Sequence, residues 1–147
     1  MQGTAITILL VEDEPAHAEI VRRNLEGMRF VNTLKHVQDG QAALDYLYCT
    51  GEFGNPDDAP RPGLILLDLR LPKVDGIQVL KTIKNDPELK SIPVIVLSTS
   101  ASETDVALVY AHNANSYLVK PVDFTQFSDL LDTLGRYWLM WNRYGNT

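Results

Sequence analysis

Polar residues interrupt apolar runs at four positions in a pattern that could support chemistry. Glu12 and Asp13 follow "ITILLV", Asp68 follows "LILL", Ser98 closes "IPVIVLS", and Lys120 follows "SYLV". Taken singly, each has a bland reading, because Asp and Ser are common at strand ends and helix N-caps. Taken together, they ask to be gathered into one place. Three carboxylates brought within about 4 Å would repel by about 4 kcal/mol per pair at a surface-like effective dielectric. Lys120 supplies one compensating charge. An oxygen-rich site with two or three carboxylates and open water positions is also what Mg²⁺ prefers, usually beside a substrate phosphate.

The elements around these residues explain how they could meet. Ile6 to Val11 is a short, near-continuous apolar run, as expected of a strand buried on both faces. Pro15 suits the first turn of a helix, and Ala18, Val21, Leu25 and Met28 recur at helical spacing. A weaker strand spans Thr33 to Val37, and Asp39 and Gly40 open a second helix through about Tyr48. The run "CTGEFGNPDDAPRPG", 49–63, is dense in Gly, Pro and Asp and reads as a long loop. A third strand covers Leu64 to Leu67. "PKVDG" then leads into a helix carrying Ile77, Leu80 and Ile83, which Asn85, Asp86 and Pro87 end. "IPVIVLSTS", "ETDVALVYAHN" and "SYLV" give strand, helix and short strand, and a last helix runs from about Phe124 toward Tyr144. Five strands, each followed by a helix, predict an α/β fold: a parallel sheet with helices on both faces. In such sheets ligands bind outside the carboxyl ends of the strands, where all four polar positions fall.

The 147 residues suit one domain, 1–147, with a substantial core. A net charge of -6 argues against general binding to nucleic acid or anionic membranes, which needs a basic surface. Cys49 is the only cysteine, which excludes an intrachain disulfide and a Cys-based metal cage. "MQGTAITILLVEDE" lacks the charged start and long apolar run of a signal peptide or membrane span, so a cytoplasmic location is expected. Neither a G-x-x-x-x-G-K-[ST] loop nor a G-x-G-x-x-G turn follows any strand.

"VEDE", "LLDLRLPKVDG", "LSTSA" and "YLVKP", in this order and each at a strand end, resemble the response-regulator receiver domain over nearly the whole chain. The resemblance implies the flavodoxin-like sheet order 2-1-3-4-5. It also implies that Asp68 accepts a phosphoryl group from a histidine kinase's phosphohistidine in a two-component phosphorelay. Asp13, assisted by Glu12, would hold Mg²⁺ together with Asp68 and the backbone carbonyl of Arg70. Lys120 would pair with Asp68 or its phosphate, and the Lys120 to Pro121 bond becomes a candidate for the cis form. Ser98 would hydrogen-bond a new phosphoryl oxygen and Tyr117 would turn inward, making a two-state switch. Without the resemblance, Tyr117 reads as a half-buried strand aromatic.

Some features are particular to this chain. Thr99, bulkier than the Ala or Gly often found after the switch residue, is expected to restrict access of water and small phosphodonors. The long loop, "LSTS" and the extended tail resemble the small stand-alone regulators paired with phytochrome-type kinases, so a bacteriophytochrome is an expected partner. On the last helix, Phe127, Leu131, Leu134, Trp138 and Trp141 form one apolar stripe and Leu130, Tyr137, Met140 and Tyr144 a second. One stripe suffices to pack on a sheet. The second suggests a homodimer, with Tyr137, Trp138, Met140, Trp141 and Tyr144 at the interface, or else a thick aromatic cap over the domain's own core.

His17, His36 and His112 have no ligand-like spacing and read as structural or surface residues, and Lys81, Lys84 and Lys90 as a solvated helix face. The aspartate-nucleophile phosphatases offer a competing class, but they typically carry a second Asp two positions after the nucleophile, where this chain has Arg70. No output domain is expected after the last helix. The expected role is therefore that of a phosphoacceptor acting through protein contacts rather than a turnover enzyme.

Overall fold

The computed structural model describes residues 6–26, 28 and 31–136. Five strands alternate with five helices. They are β1 (Ile6–Val11), α1 (Pro15–Leu25), β2 (Val31–Val37), α2 (Gly40–Tyr48), β3 (Leu64–Asp68), α3 (Gly76–Asn85), β4 (Val94–Ser98), α4 (Glu103–Ala111), β5 (Ser116–Val119) and α5 (Phe124–Leu134). The strands form one parallel sheet in the order β2-β1-β3-β4-β5. This is the flavodoxin-like arrangement that the motifs implied.

The strands are near-continuously apolar because both faces are covered, and their period of two sorts side chains between two cores. Leu9, Val11, Ile65, Leu67, Val94 and Val96 face α2 and α3. Ile8, Leu10, Leu64, Leu66, Ile95 and Leu97 face α1 and α5, where Ala18, Val21, Leu25, Phe127 and Leu131 complete the second core. Each fully buried side chain of this size contributes roughly 1.5–3 kcal/mol. Local chemistry agrees with this packing: Pro15 occupies the first turn of α1, Asp39 caps α2 by accepting from the Ala42 amide at 2.7 Å, and Asp123 caps α5 through Thr125 and Gln126.

One expectation is corrected by packing. Lys84 is not a solvated residue: its ammonium donates to the carbonyls of Lys90 at 3.0 Å and Ile92 at 2.7 Å, holding the chain that curls back after α3. Burial lowers its pKa accordingly. The 49–63 segment is a loop, as expected, and packing ties it down. It contains two short 3₁₀ turns, Gly51–Phe53 and Pro56–Asp58, and it buries Ala59. The Tyr46 hydroxyl donates to the Pro60 carbonyl at 2.7 Å, and the Phe53 ring packs edge-on to Tyr46.

The described part of α5 buries Phe127 and Leu131, with Leu134 partly buried behind them. The proposed dimer residues Tyr137, Trp138, Met140, Trp141 and Tyr144 lie outside the described residues. Among the described residues no helix is long and apolar enough to cross a membrane.

Candidate functional site

Strand register builds the site. Val11 is aligned with Leu67, so Glu12 and Asp13 emerge beside Asp68, the last residue of β3. Asp68 is aligned with Leu97, which places Ser98 one step further along, and Ser98 is aligned with Val119, which places Lys120 just beyond. The Lys120 amide continues the ladder by donating to the Ser98 carbonyl at 2.7 Å. Behind Asp68, α3 starts so close to the β3 end that a side chain at Gly76 would collide with the carbonyls of Asp68 and Leu69. Glycine is required there by close approach.

The expected residues come together. Oxygens of Glu12, Asp13 and Asp68 lie within 4.8 Å of one another. Glu12 is buried, Asp68 mostly so, and Asp13 is exposed. Three hard oxygen donors with one open to solvent fit a divalent cation such as Mg²⁺. Lys120, however, does not pair first with Asp68. Its Nζ is 2.5 Å from Glu12 Oε1 and 3.6 Å from Asp68 Oδ2. Both Lys120 and Glu12 have side chains only 2% exposed, and two ions so fully desolvated must satisfy each other, whereas Asp68 keeps some water. The second oxygen of Glu12 accepts from the Glu14 amide at 3.2 Å. The Lys120 to Pro121 bond is trans, since no described peptide bond is cis, in keeping with the trans preference that X-Pro bonds retain.

Asp68 is thereby left with surplus negative charge. Burial, and then the charge of Glu12, raise its pKa from 3.8 to about 7, with Lys120 opposing them.

A histidine read from the sequence as structural or surface also lies in this cluster. His17, in the first turn of α1, puts Nδ1 3.2 Å from Lys120 Nζ and 3.9 Å from Glu12 Oε1. Burial and the Lys120 charge lower its pKa. The only signal in the sequence was its place one helical turn after Asp13. His36 is structural, with Nε2 2.8 Å from the Glu12 carbonyl.

The β4–α4 side carries a second network. The buried Ser98 hydroxyl accepts from the Ser100 amide at 3.1 Å. The half-buried Tyr117 donates to the Ser100 carbonyl at 2.8 Å. The Ser100 hydroxyl donates to Asp105 Oδ2 at 2.7 Å, and Arg70 reaches the same oxygen at 2.9 Å. Ser100 and Asp105, which motif reading did not single out, thus join the expected switch pair to the loop after Asp68. Thr99 is exposed.

A five-stranded parallel sheet in this order, with an acid cluster and a buried lysine at its carboxyl rim, defines the receiver class of signalling domain. The family model described as the response regulator receiver domain matches residues 8–132. The probable methanogenesis regulatory protein FilR2 of Methanothrix harundinacea is 46% identical over 136 residues, 92% of this chain and 85% of that protein. The response regulator Rcp1 of Synechocystis sp. is 42% identical over 132 residues, 90% of this chain and 88% of Rcp1. The crystal structure of its Mn²⁺-bound form matches with a TM-score of 0.89 at 39% identity, covering 96% of this chain and 99% of that one. The phosphorylated cyanobacterial phytochrome response regulator RcpA matches with a TM-score of 0.91 at 38% identity, covering 97% and 100%. The chain belongs to the response-regulator receiver family.

Two predictions follow from this geometry. Because the folded-state pKa of Asp68 lies above its unfolded value, folded protein binds that proton more tightly, and without divalent cation stability falls as pH rises from 3.8 to about 7. Asp68→Asn should therefore raise the melting temperature by a few degrees at pH 8 and change it little at pH 5, as read by thermal unfolding in chelator. Asp105→Ala should speed amide hydrogen exchange across residues 99–105 while costing no more than about 1 kcal/mol in denaturant unfolding, because the Arg70 ion pair is at the surface.

Proposed function

We propose that the chain is the phosphoacceptor of a two-component system, taking a phosphoryl group on Asp68 from a histidine kinase and passing the signal on through protein contacts. The observation that carries this reading is a half-satisfied carboxylate at the strand ends, beside two further acids and within 3.6 Å of a buried ammonium. An Asp68 oxygen attacks phosphorus as the P–N bond to the kinase imidazole breaks. The bond's electron pair returns to the imidazole nitrogen. An ionised carboxylate needs no base to do this. Asp13 and Asp68, with Glu12 and the carbonyl of Arg70, would hold Mg²⁺, whose charge would neutralise phosphoryl oxygens in the transfer. Lys120 is positioned to meet the new phosphate.

Ser98 then has a choice of partners. Turning its hydroxyl to a phosphoryl oxygen releases the Ser100 amide, and Ser100 is the residue that Tyr117 and Asp105 hold. About 1.4 kcal/mol of differential interaction shifts such a balance tenfold, within reach of one or two charge-assisted hydrogen bonds. The likeness to phytochrome response regulators supports a bacteriophytochrome as the kinase. The phosphatase alternative loses ground further, since Arg70 in the acid's place is engaged with Asp105.

With acetyl phosphate or a phosphorylated kinase, label should appear on the wild type, require Mg²⁺, and be lost to hydroxylamine. Asp68→Asn should take none. Continuous hydrolysis of generic phosphate esters would favour the phosphatase reading instead. We also propose a homodimer through the C-terminal helix region, supported by the second apolar stripe and by exposed Val122 and Phe124 where α5 begins. Sedimentation should show a dimer, and a monomer both with and without phosphorylation would refute it.

A further inference from the structure

The ammonium of Lys120 carries three N–H donors and no acceptor. Glu12 Oε1 takes one at 2.5 Å, and His17 Nδ1 lies within hydrogen-bond distance at 3.2 Å. Since an ammonium can only donate, Nδ1 is the acceptor and the His17 ring is neutral there. With two donors occupied, the third is left for the side on which Asp68 Oδ2 stands, 3.6 Å away and just beyond bonding distance. The ring itself is braced by α5. It meets the Phe127 ring edge-on at 5.7 Å and 82°, and the Phe124 ring at 6.4 Å and 84°.

We propose that His17 is a positioning residue for Lys120: with Glu12, its Nδ1 anchors the ammonium 3.6 Å from Asp68, so that the third N–H is kept for a phosphoryl oxygen on Asp68 and is not spent on the resting carboxylate. The inference rests on the reading of Asp68 as phosphoacceptor. Without the Nδ1 acceptor, the ammonium is no longer held on the His17 side and shifts toward Asp68 Oδ2, closing the 3.6 Å gap and giving its third donor to that carboxylate. A direct ion pair then makes the attacking oxygen less nucleophilic, and Lys120 must break it before serving the phosphate. Glu12 alone cannot prevent this, because a single hydrogen bond leaves the ammonium free to pivot about Glu12 Oε1 toward Asp68. His17 does not touch the phosphoryl donor and acts only through Lys120.

The test is the rate of labelling by acetyl phosphate with saturating Mg²⁺. In that reaction an Asp68 oxygen bonds to phosphorus, the bond from phosphorus to the acetyl oxygen breaks, and its electron pair leaves with acetate, no proton being transferred. His17→Leu keeps apolar bulk against Phe124 and Phe127 but has no acceptor. Its labelling rate should fall about tenfold, the worth of one hydrogen bond to a charged group. His17→Asn can place its amide oxygen close to where Nδ1 stands and should restore the rate to within about twofold of wild type. Mg²⁺ affinity, measured by calorimetry, should be the same in all three proteins because the carboxylates are intact. A Leu variant as fast as wild type, or an Asn variant as slow as Leu, would overturn the role of His17. A wild type that takes no label would instead overturn the phosphoacceptor reading, and this inference with it.

Discussion

Glu12 and Lys120 are 108 residues apart in sequence, yet their charged groups meet at 2.5 Å with almost no contact with water. Removing an ion from water costs several kcal/mol even after relaxation, so a pair buried this deeply holds only if geometry is good and each member is fully engaged. Much of the site can be traced to that requirement. Meeting it draws the ends of β1 and β5 together across the carboxyl rim, over the strands between them. It also leaves Asp68 with only the longer ion pair, at 3.6 Å, to a lysine already engaged with Glu12. An acid that is mostly buried beside Glu12 and only loosely paired with a lysine is raised to about 7, a crowding of negative charge that a cation would relieve.

The sheet makes such an arrangement affordable. Parallel strands buried on both faces give two apolar cores on a single rigid layer, and the register sets each rim residue within one step of its neighbour's. Polar residues at the rim can therefore be strained in charge without being loose in position. The two halves of the rim are differently built. The β1–β3–β5 side is held by buried charge, whereas the β4–α4 side is held by serine hydroxyls, a tyrosine hydroxyl and the partly exposed Arg70–Asp105 pair. Buried ions resist rearrangement, and neutral or solvated hydrogen bonds exchange partners readily. In the proposed switch, the second side is the one that moves when charge is added at the first.

Much of this could be read from the chain. Element types and order were legible, because strands covered on both faces are nearly continuous in Val, Ile and Leu and helices repeat at their own period. Differences at the ends were small: β2 begins at Val31 where Thr33 was expected, and Asp68 is itself the last residue of β3. Side-chain partnerships were less legible. Lys84 looked like any surface lysine, and only the fold of residues 86–92 brought carbonyls to it. The 49–63 loop showed its turns in composition but not that Tyr46 and Phe53 would pin it. His17 was passed over because the groups that hold its ring, Lys120 just past β5 and Phe127 on α5, are more than 100 residues away, and no local spacing encodes that.

The amino-acid sequence by itself determined the parallel α/β architecture and the set of polar residues at the strand ends. Both follow from local pattern: apolar period decides element type, and a charge can interrupt a buried strand only where the strand leaves the core. Tertiary structure alone decided how those charges are shared. Lys120 sides more closely with Glu12 than with Asp68, His17 joins them, and Ser100, held by Asp105, links Ser98 to Tyr117. Each of these choices turns on differences of an ångström and on how much water each group retains, quantities that exist only once the strands are in register and the helices have closed over them.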